Sequence, residues 1–377
     1  MDGIAGAQAR LTVVVHICVV ALVLLWTLPT FGLLASSFRD KDQLATTGWW
    51  TSLTATERNL VERSIAPDQQ VKEGDLFVLE GDLFPEGGEI TAFGFSSRAP
   101  TDFKPGETAQ MKKGQTMTVA ADGAYRLTSP EEWTGSRGKR IFVTSVEPPK
   151  FTGDNYAEVL FSEGLGRSFL NTVTVTIPAT IIPILVAAFA AYALAWMEFP
   201  GRALLVAAIV GLLVVPLQMA LIPLLKLHNT IGIGKDYLGI WLAHTGFGLP
   251  LAIYLLRNYI AGLPREVIES AKVDGATDFQ IFVRIILPLS FPALASFAIF
   301  QFLWVWNDLL VATVFLGNNE DQLVMTGRLR EMLGSRGGNW EILTASAFVS
   351  IVVPLIVFFS MQRYLVRGLL AGSVKGG

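Results

Sequence analysis

Charge is scarce in this 377-residue chain: Asp, Glu, Lys and Arg make up 16% of it and apolar residues 51%, where soluble domains carry about 25% charged residues. That balance excludes an ordinary soluble domain and fits a membrane protein. Cysteine is nearly absent, since Cys18 stands alone inside an apolar run, so neither a disulfide framework nor a thiolate metal site can be built. The three histidines are dispersed without zinc spacing, no G-x-S-x-G turn occurs, and no paired carboxylates stand out from the loop charges. Conventional catalysis therefore finds no footing. With a net charge of −3 and scattered basic residues, the chain also lacks the footprint of nucleic-acid binding. The nearest approach to a phosphate loop, Gly232-Ile233-Gly234-Lys235, has Asn229 where the first glycine is needed and Asp236 where a Ser or Thr is needed. No nucleotide, metal or other cofactor is expected on this chain.

What is present is a series of apolar runs near the roughly 20 residues that a hydrocarbon core of about 30 Å requires. Six spans are predicted, over 11–35, 169–195, 203–225, 237–257, 289–315 and 341–361. The first follows Arg10 and is longer than the apolar core of a signal peptide, about 7 to 15 residues, so it is read as a retained span, although Ala35-Ser36-Ser37 resembles a cleavage site. His16 within it is expected to be neutral and bonded to a neighbouring helix. Pro178 and Pro183 place the second span inside a bundle, where neighbouring helices satisfy the carbonyls that proline frees. Pro216, Gln218 and Pro223 mark the third as irregular and cavity-lining. Residues 316–340 read as a polar, glycine-rich loop.

Residues 40–165 change character, with no window approaching a span. Apolar runs at 76–84, 90–95, 117–120 and 141–146 read as strands, separated by turn signals at 85–88, 104–106, Lys113-Gly114 and Asp122-Gly123. A small antiparallel β-domain is predicted, with a short helix over 53–65. Trp49 and Trp50 suit anchoring at a membrane interface, and Trp133 suits packing.

Six spans put both termini on one side. Arg10, Arg202, Arg257, Arg265, Lys272, Arg284, Arg363, Arg367 and Lys375 fall on that side, against Lys226, Lys235, Arg328, Arg330 and Arg336 on the other, which favours cytoplasmic termini. Residues 264–288 then face the cytoplasm and the β-domain faces outward. Trp306-Asn307-Asp308 is the strongest intramembrane polar cluster. A carboxylate at that depth costs about 2.5 to 3.5 kcal/mol and faces a bundle interior or water. Two readings stand open for it: a solute pathway, or hydrogen bonds between helices.

The charged stretch 264–288 reads as two short helices joined at a bend. Pro264 suits a first helical turn, with Glu266 and Glu269 near the positive end of the dipole. Asp274-Gly275 stops the first helix, and Thr277 with Gln280 forms a capping box for the second, whose apolar stripe is Phe279, Phe282, Val283 and Ile286 before Leu287-Pro288 closes it. Glu269-Ser270-Ala271, three residues, Gly275, nine residues, Ile285, one residue, Leu287-Pro288 resembles the EAA loop of ABC-importer permease subunits, with Ser270 in place of the middle alanine, a small-for-small change expected to be tolerated. Asp274, Ala276 and the run from Phe279 to Arg284 are similar to its carbohydrate branch. So are the residues around 151–175 and the C-terminal 361–377, while the insertion after the first span resembles that of α-glucoside importers.

The resemblance implies an all-α polytopic membrane protein of six transmembrane helices with an inserted β-rich extracytoplasmic domain: residues 1–39 as N-terminus and first span, 40–165 as the insertion, 166–377 as the permease core. It implies a non-catalytic subunit of a sugar importer in the bacterial inner membrane. The partners it implies are a second homologous permease, an ATPase dimer holding ATP and magnesium, an extracytoplasmic sugar-binding protein and membrane lipid. Glu269, Ser270, Ala271, Asp274, Gly275, Ala276, Phe279, Ile285, Leu287 and Pro288 would couple to the ATPase, Gln362 and Arg363 would reach toward it, and Trp306, Asn307, Asp308 and Gln218 are candidates for the solute pathway. An importer for another solute, and a membrane sensor or scaffold whose outer domain binds ligand, are the alternatives. A proton-coupled carrier would need a relay of intramembrane carboxylates, where mainly Asp308 is found.

Overall fold

The computed structural model describes residues 4–85, 88–335 and 337–373, with side chains described over 11–365 within those limits. The expected turn residues Glu86 and Gly87, and the side chains of Arg10, Arg336, Arg367 and Lys375, lie outside the described residues. The chain divides into two compact units, Met1–Thr152 and Gly153–Gly377.

The first unit begins with helix α1 (Ile4–Ser37), followed by α2 (Lys41–Thr46) and eight strands: β1 (Thr56–Arg63), β2 (Val71–Glu73), β3 (Leu76–Asp82), β4 (Glu89–Gly94), β5 (Thr108–Gln110), β6 (Thr116–Val119), β7 (Ala124–Ser129) and β8 (Arg140–Glu147). They form two antiparallel sheets, ordered β1-β8-β4 and β2-β3-β7-β6-β5. Leu79, Ile90, Phe93, Met117, Leu127 and Ile141 are buried in one core, which also takes in Trp133 as expected. The predicted strands are present, and the glycines of their turns, Gly106, Gly114 and Gly123, have positive φ. The helix expected over 53–65 is instead β1: its burial alternates residue by residue, the period of a strand with one covered face. Three strands absent from the prediction, β2, β5 and β7, are short or polar.

The ends of the insertion are tied together. Thr152 N donates to Phe38 O at 2.7 Å and Asp40 N to Lys150 O at 3.3 Å. Gln43 reaches Pro148 O and Lys150 N, and the buried Arg39 guanidinium donates to Gly48 O at 2.9 Å. Trp49 packs edge-on to Phe31 of α1 and lies against Gly32, while Trp50 is exposed. The partner of His16 is Thr12 O, 2.7 Å away in its own helix, rather than a neighbouring helix.

The second unit is helical: α3 (Asp154–Ala157), α4 (Leu165–Trp196), α5 (Arg202–Leu212), α6 (Leu217–Thr230), α7 (Tyr237–Ala261), α8 (Arg265–Val273), α9 (Asp278–Ile281), α10 (Leu287–Leu289), α11 (Phe291–Trp306), α12 (Leu310–Phe315), α13 (Met325–Ser335) and α14 (Trp340–Ser373), with π-helical turns at 158–162 and 282–286. Residues 153–165, expected with the insertion, belong to this unit; Val159 is buried against Phe302, Trp306 and Met325.

Among the described residues four helices are long and apolar enough to cross a membrane, or six if each of two bent pairs is one span. The third expected span is not one helix: α5 and α6 meet at 106°, because the chain leaves helical geometry before Pro216, which has no N–H to continue the ladder. The fifth begins with a 70° bend at Ser290 and stops at Trp306, with α12 restarting after Asn307–Leu309. The loop expected over 316–340 contains α13, whose first N–H, that of Met325, donates to Thr172 Oγ1, while Asn171 Nδ2 donates to Asp321 O and Leu323 O just before it.

Three of the prolines inside the long helices have the carbonyl they free taken by a side chain of another helix. Pro178 leaves Thr174 O free, and Trp241 Nε1 donates to it at 2.9 Å; Pro183 frees Ala179 O, taken by Gln301 Nε2 at 3.1 Å; Pro354 frees Ser350 O, taken by Trp306 Nε1 at 3.0 Å.

Candidate functional site: the amphipathic elbow

Helices α8 to α10 form an elbow with one face held and one face open. Its turn is a Schellman motif: Ala276 N donates to Ala271 O and Gly275 N to Lys272 O, each at 3.0 Å, with Gly275 at φ +81°. Only glycine takes that backbone without cost. Two residues on, Thr277 and Gln280 exchange the reciprocal bonds of a capping box, Gln280 N to Thr277 Oγ1 at 3.3 Å and Thr277 N to Gln280 Oε1 at 2.9 Å. Sequence alone thus fixes where one helix ends and the next begins.

The held face consists of Ile268, Ile281, Phe282 and Ile286, all buried in a cluster with Ala187, Ala191 and Tyr192 of α4 and Ala252, Leu256 and Ile260 of α7. Each such side chain contributes about 1.5 to 3 kcal/mol relative to exposure to water, so the elbow is fastened rather than floating. Polar ties add direction: Tyr192 donates to Asp278 Oδ1 at 3.0 Å, Tyr259 to Leu289 O at 3.2 Å and Trp196 Nε1 to Ile260 O at 3.0 Å. Lys272 Nζ lies 3.9 Å from the same Asp278 oxygen.

The open face carries Val273, 87% exposed, and Phe279, 66% exposed. Beside Val273 a shallow depression is lined by Glu266, Glu269, Ser270 and Asp274. The Ser270 hydroxyl donates to Glu266 O at 2.7 Å, so serine at the middle position is satisfied within its own helix. Ala271, Ala276, Ile285 and Leu287 are half-buried and Pro288 is exposed. Large apolar side chains ringed by charge, on a rigid support, suit docking against another protein.

The second candidate site is the break after α11. Here the structure separates three consecutive residues. Trp306 is buried and its indole bonds Ser350 O. Asp308 turns back on the chain: its carboxylate accepts from Ala312 N at 2.9 Å, and its own carbonyl accepts from Thr326 Oγ1 at 2.7 Å. Asn307 is exposed and its Nδ2 donates to Leu303 O at 2.8 Å in its own helix. Gln218 is exposed near the start of α6. Gln362 and Arg363 lie on α14, which continues without interruption through the expected tail to Ser373, and Arg363 stacks on the ring of Tyr364 and donates to its hydroxyl.

A family model for the binding-protein-dependent transport system inner membrane component matches residues 163–370. The chain belongs to this family. Along its full length this inner membrane component is similar to the alpha-glucoside transport system permease protein AglG of Rhizobium meliloti, 68% identical over 98% of this chain and 99% of that one. It is 42% identical to the osmoprotective compounds uptake permease protein GgtD of Synechocystis, over 96% of this chain and 91% of that one. A solved bacterial ABC transporter involved in the import of the polysaccharide alginate aligns with 58% of this chain and 81% of its own at 24% identity and a TM-score of 0.49.

Within the permease, sequence reasoning singled out part of what fastens the elbow and missed its polar ties. Of the expected stripe only Phe282 and Ile286 are buried, joined by Ile268 and Ile281, while Phe279 and Val283 are exposed. Tyr192 and Trp196 lie far from the elbow in sequence and Tyr259 just before it, and only the aromatic-plus-donor character of each pointed to a hydrogen-bond partner.

Proposed function

We propose that this chain is the permease subunit of a binding-protein-dependent sugar importer of the α-glucoside class, crossing the inner membrane six times with both termini in the cytoplasm. The observation that carries the coupling role is the elbow: a two-helix unit anchored on one face and presenting Val273, Phe279, Glu266 and Glu269 on the other. That surface docks on a separate ATPase subunit, which binds ATP and magnesium; this chain itself catalyses nothing. ATP-driven closure of the ATPase pair pushes the elbow, and because Ile268, Phe282 and Ile286 are packed on α4 and α7, the push reaches the long helices. Ligand and nucleotide act through their different affinities for the inward-open and outward-open states. A second, homologous permease completes the pathway, to which Asn307 and Gln218, both exposed, contribute. A sugar-binding protein delivers the solute from outside, on the side of the β-rich unit.

The cargo class is supported by the full-length similarity to a permease named for alpha-glucosides, and a second reading, an osmoprotective solute, by the relative named for such compounds. The test is ATP-dependent uptake in proteoliposomes holding the complete complex, with a labelled α-glucoside and a labelled osmoprotectant offered in parallel. Stimulation of ATP turnover and uptake by the α-glucoside alone supports the reading; uptake of the osmoprotectant alone reassigns the cargo.

A further inference from the structure

The three proline-freed carbonyls that take a side-chain donor, those of Thr174, Ala179 and Ser350, are not held alike. An indole has one donor and no acceptor, so Trp241 and Trp306 are each fully used by a single carbonyl. The Gln301 amide has capacity left over. Its Nε2 bonds Ala179 O of α4 at 3.1 Å and also lies 3.5 Å from His244 O of α7, and its Oε1 is buried without a hydrogen-bond partner among the described residues. Gly248 of α7 makes room for it, since a Cβ there would stand 2.7 Å from that oxygen. A side chain of α11 that is 1% exposed therefore links three helices at the turn of α4 that lacks a backbone bond. Seven residues on, between α7 and the break after α11, His244 Nε2 and Asp308 Oδ2 face each other at 4.0 Å, outside hydrogen-bond reach.

We propose that the turn of α4 at Pro183 is a hinge of the transport cycle and that Gln301 is the positioning residue that sets it. The proposal rests on the transporter reading above. A turn without its own N–H to O bond is where a helix bends at least cost. Of the two such turns of α4, at Pro178 and Pro183, only the second is held by a side chain with hydrogen-bonding capacity left over. Its free carbonyl is held by a side chain and not by backbone, so α4 can shear against α11 by exchanging one amide contact for another. The open Gln301 acceptor and the near-contact of His244 with Asp308 supply bonds that a second arrangement can make, which is what a two-state element requires.

The experiment uses the assembled complex and four versions of this chain: wild type, Gln301→Leu, Pro183→Ala, and both together. Alanine at 183 restores the N–H that bonds Ala179 O, so it removes the need for Gln301 and the hinge at once. Thermal midpoint and ATP-dependent solute uptake are measured on each. Gln301→Leu is expected to lower both, uptake by about tenfold, the ratio that corresponds to one lost buried hydrogen bond. The double variant is expected to recover the wild-type midpoint while uptake stays low. Pro183→Ala alone is expected to lose uptake with its midpoint at or above wild type, and it carries the test if Gln301→Leu fails to assemble. Uptake that recovers together with the midpoint in the double variant, or wild-type uptake in Pro183→Ala, overturns the hinge and leaves Gln301 a packing residue. A wild-type complex that takes up no solute overturns the transporter reading itself, and the hinge with it.

Discussion

The elbow over 264–289 and the break at 307–309 draw on the same residue types: a carboxylate, an amide or hydroxyl, and a large aromatic in an otherwise apolar chain. They use them in opposite directions. In the elbow the backbone closes its own account through the Schellman turn and the capping box, and the side chains of Glu269, Val273 and Phe279 are left facing outward. At the break the backbone is in deficit, and Trp306 and Asp308 turn inward to satisfy Ser350 O and the start of α12. The elbow leaves its large and charged side chains for a partner, and the break uses Trp306 and Asp308 to complete the chain's own hydrogen bonds.

The comparison is broken most severely by Gly275→Pro. Proline fixes φ near −65°, against +81° here, and removes the N–H that bonds Lys272 O. The elbow should lose its angle, at a cost of about 3 kcal/mol or more, and ATPase co-purification should fall below detection. Glu269→Lys separates surface from support: Glu269 is exposed, so stability should stay within about 0.5 kcal/mol of wild type, while solute-stimulated ATP turnover drops at least about tenfold, as loss of one docking hot spot implies. An unchanged turnover would remove Glu269 from the contact.

Trp306→Phe addresses the other region. It keeps the ring that stacks on Phe302 but orphans Ser350 O, and should destabilise the complex by about 1 to 3 kcal/mol without altering which solute is taken up. A change in solute preference would return Trp306 to the pathway. The smallest effect is expected for Asn307→Ala, within about 0.5 kcal/mol on stability because Asn307 is exposed and bonded only to its own helix, with weaker solute affinity as the readout of its proposed pathway role.

The parts of this molecule legible in the sequence are those decided locally. Gly275 and the Thr277–Gln280 pair act within a few residues, and both are found where expected; so are β3, β4, β6 and β8, whose apolar runs are bounded by turn residues. The parts that were not legible are settled at long range. β1 is largely polar, and pairing with β8, far along the chain, makes it a strand. Helix α13 has little apolar character, and bonds from Asn171 and Thr172 of α4 organise its start. That Pro178 and Pro183 need neighbouring helices follows from the sequence; that Trp241 and Gln301 supply the donors does not.

The most direct measurement is site-specific cross-linking from the elbow to a co-expressed ATPase subunit, in a Cys18→Ser background with single cysteines at Val273, Phe279 or Ile286. Cysteines replacing Val273 and Phe279 should cross-link to the ATPase in a nucleotide-dependent manner, and one replacing the fully buried Ile286 should not. Absence of cross-links from both exposed positions in a complex that hydrolyses ATP would contradict the assignment of the elbow as the surface through which this permease is driven.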